Sequence, residues 1–134
     1  MMRRLASRLR IVLAASALAL GGASACYTPS VPLPPPLVEN MTFTAGATTG
    51  TFTLSSPAEA QIGGAQFTVY NASRQMGVIF ESAADGSFTS PELVGVDGDY
   101  IKVSYEKNMG STSRCTTLHV TGTPIGQGNA SDCH

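Results

Sequence analysis

From Asn40 onward, apolar residues recur with a period of two. In AQFTVYN (65–71), Ala65, Phe67 and Val69 fall on one face and Gln66, Thr68 and Tyr70 on the other. In YIKVSYE (100–106), Ile101, Val103 and Tyr105 oppose Lys102, Ser104 and Glu106. CTTLHVT (115–121) sets Leu118 and Val120 against Thr117, His119 and Thr121. MTFT and TFTLS alternate through Met41, Phe43, Phe52 and Leu54, and GVIFES (77–82) and GSFTS (86–90) are shorter runs of the same kind. A two-residue period with one polar face marks half-buried strands. Turn residues punctuate them at Gly63-Gly64, Asp85-Gly86, Asp97-Gly98 and Asn108-Met109-Gly110. No 11-residue window after Asn40 has the period of an amphipathic helix. The pattern predicts an all-β fold: a single small antiparallel β-sandwich of about seven strands over 40–122, followed by a C-terminal tail, 123–134.

Ahead of this domain the pattern changes. MMRRLASRLR carries Arg3, Arg4, Arg8 and Arg10 and no acid, and IVLAASALAL (11–20) carries no charge. The small residues Ala23, Ser24 and Ala25 then precede Cys26. A basic start, a short apolar run and an A-x-A site read as a secretory signal over 1–25. A membrane-spanning anchor is disfavoured, since spanning takes roughly 20 apolar residues. The segment resembles the signal of a bacterial lipoprotein, whose cysteine becomes the lipidated first residue of the mature chain. Where that family usually carries Leu three residues before the cysteine, this chain has Ala23. The resemblance implies a lipid on Cys26. Tyr27, rather than Asp, after the cysteine implies sorting to the outer membrane. The alternative is plain cleavage after Ala25, with Cys26 a free thiol on a soluble periplasmic or secreted protein.

YTPSVPLPPPL follows, with Pro29, Pro32, Pro34, Pro35 and Pro36. Proline locks φ and removes donors, so 26–39 is expected to be an extended tether. A disordered leader would have the same composition.

Export alters the charge. The whole chain is formally −1, but without residues 1–25 the cations are Arg74, Lys102, Lys107 and Arg114 against nine acids, a net charge of −5. Four scattered cations give no footprint for nucleic acid and no polybasic membrane patch. The expected partners are therefore the membrane, through the lipid, and an envelope protein or polysaccharide.

Three cysteines are an odd number for an exported chain. With Cys26 acylated, Cys115 and Cys133 are left as an expected disulfide in an oxidising compartment. Two free thiols are the other possibility. There is no CxxC motif to support redox or zinc chemistry.

Three short motifs stand inside the β pattern: Gly64-Ala65, Asp85-Gly86-Ser87-Phe88, and Gly98-Asp99-Tyr100-Ile101-Lys102-Val103. Together they resemble the carboxypeptidase-regulatory-like, or prealbumin-like, β-sandwich over 48–121. Immunoglobulin-like bacterial domains share these features. The resemblance implies a sandwich with Phe88 in its core. Some such sandwiches crosslink a first-strand Lys to an Asn near the end, but no Lys precedes Lys102 here.

Candidate chemistry is sparse. The histidines are His119, on a predicted polar face, and His134, at the terminus, and there is no G-x-S-x-G. Asp97 and Asp99, with Asp85 near in the fold, are a candidate carboxylate pair or a weak Ca²⁺ site. Turn formation explains the same aspartates. The chain has no Trp, and Tyr70 alone makes a poor sugar platform. Asn40-Met41-Thr42, Asn71-Ala72-Ser73 and Asn129-Ala130-Ser131 match glycosylation sequons, which would matter in a eukaryotic protein and are chance under the bacterial lipoprotein resemblance. No cofactor motif occurs. The expectation is a non-enzymatic, lipid-anchored envelope sandwich serving as a binding or structural accessory module. A small periplasmic enzyme or enzyme inhibitor is the competing class.

Overall fold

The computed structural model describes residues 32–133. The expected signal, Cys26, the start of the tether and His134 lie outside them. Among the described residues run nine strands: β1 (Thr42–Ala45), β2 (Thr51–Ser56), β3 (Gln66–Asn71), β4 (Met76–Glu81), β5 (Phe88–Thr89), β6 (Leu93–Val94), β7 (Tyr100–Lys107), β8 (Gly110–Thr117) and β9 (Ala130–Ser131). Only two short 3₁₀ turns, Val38–Asn40 and Ala60–Ile62, interrupt the β structure.

The strands form two antiparallel sheets. In one, β2 pairs with β1 on one side and with β5 and β6 on the other. The second has the order β4-β3-β7-β8-β9. Their facing sides make the sandwich core. The first sheet contributes Phe43, Phe52, Leu54, Phe88 and Leu93; the second contributes Phe67, Val69, Ile101, Val103 and Tyr105. Phe67 joins the layers. Its ring lies 4.5 Å from Phe88 of the opposite sheet, and 5.9 and 5.5 Å from Phe80 and Tyr105 of its own. These are separations at which aromatic pairs attract.

The alternations in AQFTVYN and YIKVSYE are seen as expected: β3 and β7 bury every second residue and lie side by side from Gln66↔Glu106 to Asn71↔Ile101. The Asp85-Gly86 turn also has a physical cause. Gly86 has φ +87°, and a side chain there would run into the Glu59 backbone.

CTTLHVT is different from its expectation. The strand is Gly110–Thr117, and Leu118–Thr121 lie outside it. Leu118 is buried and His119 exposed, as the pattern implied, but the residues after Thr117 have left the ladder. The early half of β8, GSTSR, shows no apolar period because packing is not what holds it. Its eight backbone pairs with β7 run from Lys107↔Gly110 to Tyr100↔Thr117. The two-residue turn between them is Asn108-Met109, with φ of 50° and 62°. Such a left-handed pair matches the strand twist of a tight hairpin.

Beyond Leu118 the chain closes one side of the sandwich. Gly122 N–H donates to Phe43 C=O (3.1 Å), Ile125 N–H to Met41 C=O (2.8 Å) and Gly126 N–H to Glu39 C=O (3.0 Å), which covers the outer edge of β1. β9 then returns to β8 through Cys115↔Ser131 and Thr116↔Ala130. Cys115 and Cys133 are joined by a disulfide, with Cα atoms 5.1 Å apart. At the other terminus, the Pro34 carbonyl accepts a hydrogen bond from the Tyr105 hydroxyl (2.7 Å), Leu33 packs against the core, and Val38 is fully buried. Burial, with a smaller contribution from the Glu59 charge, pushes the Tyr105 hydroxyl pKa above its ordinary value.

Candidate functional site

The candidate aspartates are divided by the fold. Asp85 follows β4 and Asp99 precedes β7, so they sit at opposite ends of β3. Six strand residues at about 3.3 Å each hold those ends roughly 17–20 Å apart. Among the described residues, no group of three His, Cys, Asp or Glu side chains is placed to hold a metal ion.

Asp99 is nevertheless the centre of the most organised polar cluster. Its Oδ2 accepts from Asn71 Nδ2 (2.8 Å), Arg74 Nε (3.0 Å) and Val96 N–H (3.1 Å). Asn71 is fully buried. Its second amide hydrogen goes to Val94 C=O (3.0 Å), and its Oδ1 accepts from Ser73 N–H and Arg74 N–H at 3.1 and 3.2 Å. The Asn71 hydrogen bond, then the Val96 N–H, then Arg74 hold the Asp99 carboxyl below its ordinary pKa. This knot ties the β3–β4 turn, the loop after β6 and the start of β7 together. Asp97 continues it by accepting from Val120 N–H (3.0 Å). Its buried amide also removes Asn71 from consideration as a glycan acceptor.

Two further carboxylates hold loops. Asp85 Oδ1 accepts from Ser87 Oγ (2.7 Å) and Ser87 N–H (2.9 Å), and these bonds lower its pKa. Glu92 reaches back to the β1–β2 loop, accepting from Thr51 Oγ1 and Ala47 N–H, both at 2.7 Å, and from Thr48 N–H at 3.3 Å. Thr51 is the leading cause of its lowered pKa, followed by Ala47. The sequence reading missed Glu92. Its only signal was an acid beside Pro91, which says nothing about a loop more than forty residues earlier.

His119 lines a cleft of about 250 Å³ with Phe43, Thr117, Thr121, Thr123, Pro124, Ile125 and Asn129. The cleft lies where the returning tail crosses β1. It is rich in hydroxyls: Thr121 and Thr123 Oγ1 share a hydrogen bond of 2.8 Å, and Asn129 Nδ2 donates to Ile125 C=O (2.7 Å). The residues that line the cleft with His119 include no carboxylate. Its chemistry is that of hydroxyl and imidazole hydrogen bonding.

Tyr70 stands on the outer face of the second sheet, about one third exposed, with its ring against Gly77. A shallow hollow beside the β7–β8 hairpin includes Glu106, Lys107 and the fully exposed Met109. Lys107 Nζ is already engaged with Gln61 C=O (2.9 Å). Compared with known protein families, with curated proteins and with solved structures, the chain matches none.

Proposed function

We propose that this chain is a lipid-anchored β-sandwich of the bacterial cell envelope, a non-enzymatic binding or structural accessory module at the outer membrane. The observation that carries the reading is the run from Arg3 to Cys26: basic residues, a ten-residue apolar stretch, small residues and a cysteine. Leu33, the first described residue that packs on the domain, lies seven positions after Cys26. A chain of that length reaches at most roughly 25 Å, so an acyl group on Cys26 keeps the sandwich close to the bilayer. The use of the carboxylates favours an accessory module over an enzyme. Asp85, Glu92, Asp97 and Asp99 all accept hydrogen bonds from the chain's own backbone. The prealbumin-like resemblance of the sandwich agrees with a module of this kind.

A second reading, a small periplasmic enzyme or enzyme inhibitor, is favoured by one feature, the His119 cleft. At about 250 Å³ it lies just below the usual span of small-molecule pockets, roughly 300–1,000 Å³.

The test is fractionation of cells expressing the wild type and Cys26→Ala. The wild type should appear in outer-membrane fractions and incorporate labelled fatty acid, and the variant should lose the label and become soluble. A wild type that takes up no label ends the anchoring proposal.

A further inference from the structure

The chain enters the domain beside the tip of its longest hairpin. Leu33 lies over Gly110, so closely that a side chain on Gly110 would come within 2.9 Å of it. The next carbonyl, of Pro34, takes the Tyr105 hydroxyl (2.7 Å). Cys26 is seven positions before Leu33, so it stays within roughly 25 Å of this point. β7 and β8 have eight residues each. β3 pairs with β7 no further than Gln66↔Glu106, so Lys107 to Gly110 overhang the ladder. Asn108 and Met109 form the tip, both with positive φ. A turn of this kind favours Asn at the first position and Gly at the second. Met109 stands at the second, and it is fully exposed, more so than any other large apolar side chain among the described residues. Neither local backbone preference nor packing within the domain accounts for a methionine there, and such a conflict marks a place where function sets the residue.

We infer that the β7–β8 tip is the membrane-facing end of the domain, with Met109 seated in the headgroup layer of the bilayer that holds the Cys26 lipid. The inference rests on the anchoring reading above and adds an orientation to it. One apolar side chain is too weak a contact to hold a free protein on a membrane. It suffices to orient a domain whose lipid already keeps it within a short chain's reach, because the second contact is then intramolecular. The charges nearby choose the surface. Glu81 and Glu106 flank Gln66 in the ladder behind the tip, so an anionic surface is repelled and a zwitterionic headgroup layer fits. The opposite end of β7 is about 26 Å away, at roughly 3.3 Å for each of its eight residues. That end, with Val96, Asp97 and the Asp99 cluster, is then turned from the bilayer and left open to partners.

The test uses the acylated full chain, its lipid checked by mass, in vesicles of phosphatidylcholine with brominated acyl chains. The chain has no Trp, so Met109→Trp and Val96→Trp each carry a single indole, at opposite ends of β7. Met109→Trp should lose roughly half of its emission to the bromines and shift to the blue, as an indole at a membrane interface does. Val96→Trp should keep its emission. With Cys26 acylated and Cys115 bonded to Cys133, Met109→Cys and Val96→Cys each add one free thiol without the affinity of indole for interfaces. On vesicles, a charged maleimide should label Met109→Cys several times more slowly than Val96→Cys. In the soluble Cys26→Ala protein the two should react at similar rates. Acylated protein with equal quenching at the two sites, or equal labelling on vesicles, overturns the orientation and leaves the anchor standing. Protein with no acyl group on Cys26 overturns both.

Discussion

Truncating Phe67 to alanine should cost about 4–5 kcal/mol, whereas the same change at the next residue, Thr68, should cost no more than about 1. Phe67 has no exposed surface, and Phe→Ala in a packed core costs about 3–5 kcal/mol. The upper end applies because its ring touches Phe80, Phe88 and Tyr105, and aromatic pairs add about 0.5–1.5 kcal/mol each, less than additively. The contact with Phe88 crosses from one sheet to the other, so its loss loosens the layers and leaves a cavity between them. Thr68 lies on the outer face, opposite Ile79 and Ser104. The Ser104 hydroxyl bonds the Thr68 carbonyl, a contact that an alanine keeps. Val69→Ala should cost more than Tyr70→Ala, since Val69 is fully buried and Tyr70 is partly exposed on the outer face. A domain of this size has about 5–10 kcal/mol in total, so Phe67→Ala should be marginal or unfolded. Urea denaturation of the oxidised chain from residue 27 onward, followed by far-UV circular dichroism, measures each cost. Equal costs at Phe67 and Thr68, or a cost below about 1 kcal/mol at Phe67, would refute the assignment of β3 and its faces.

Three further outcomes follow from the same geometry. Peptide mapping without reductant should recover Cys115 and Cys133 as one linked pair, and replacing both by serine should cost about 3 kcal/mol for a loop of about 19 residues, with exchange protection lost first in β9. Asp85, Glu92 and Asp99 all have lowered pKa values in the fold, so the unfolded chain binds more protons at acid pH. Their stabilisation should be complete above the unfolded values, about 3.9 for Asp and 4.3 for Glu, and should fade as pH falls below them. Urea midpoints between pH 3 and 7 would report this, and Asp99→Asn should flatten the acid limb. Tyr105 acts in the opposite direction: its raised pKa means that stability should decline when the pH climbs above about 10, and Tyr105→Phe should remove that decline.

The amino-acid sequence alone determined the layer faces of this protein. A strand's period of two is written directly in Phe67, Val69, Ile101, Val103 and Tyr105, because side chains that alternate between core and water must alternate in polarity. The turn at Asp85-Gly86 and the pairing of Cys115 with Cys133 were legible for similarly local reasons: a positive φ favours glycine, and two cysteines remain once Cys26 is set aside. The candidate site was legible only as a set of residues. Asp97 and Asp99 were found as acids, but their engagement with Val120 and with Asn71, Arg74 and Val96 was not. Those partners come from other elements of the fold.

Tertiary structure decided the rest. The polar half of β8, the two-residue β6 and β9, the crossing of residues 122–126 over β1 and the open edge at β4 all depend on backbone pairing between distant segments. Every non-proline residue carries the same N–H and C=O, so sequence does not distinguish which backbone groups find partners. Burial leaves its mark on residue type at each position. Pairing and edge exposure are properties of the assembled sheets.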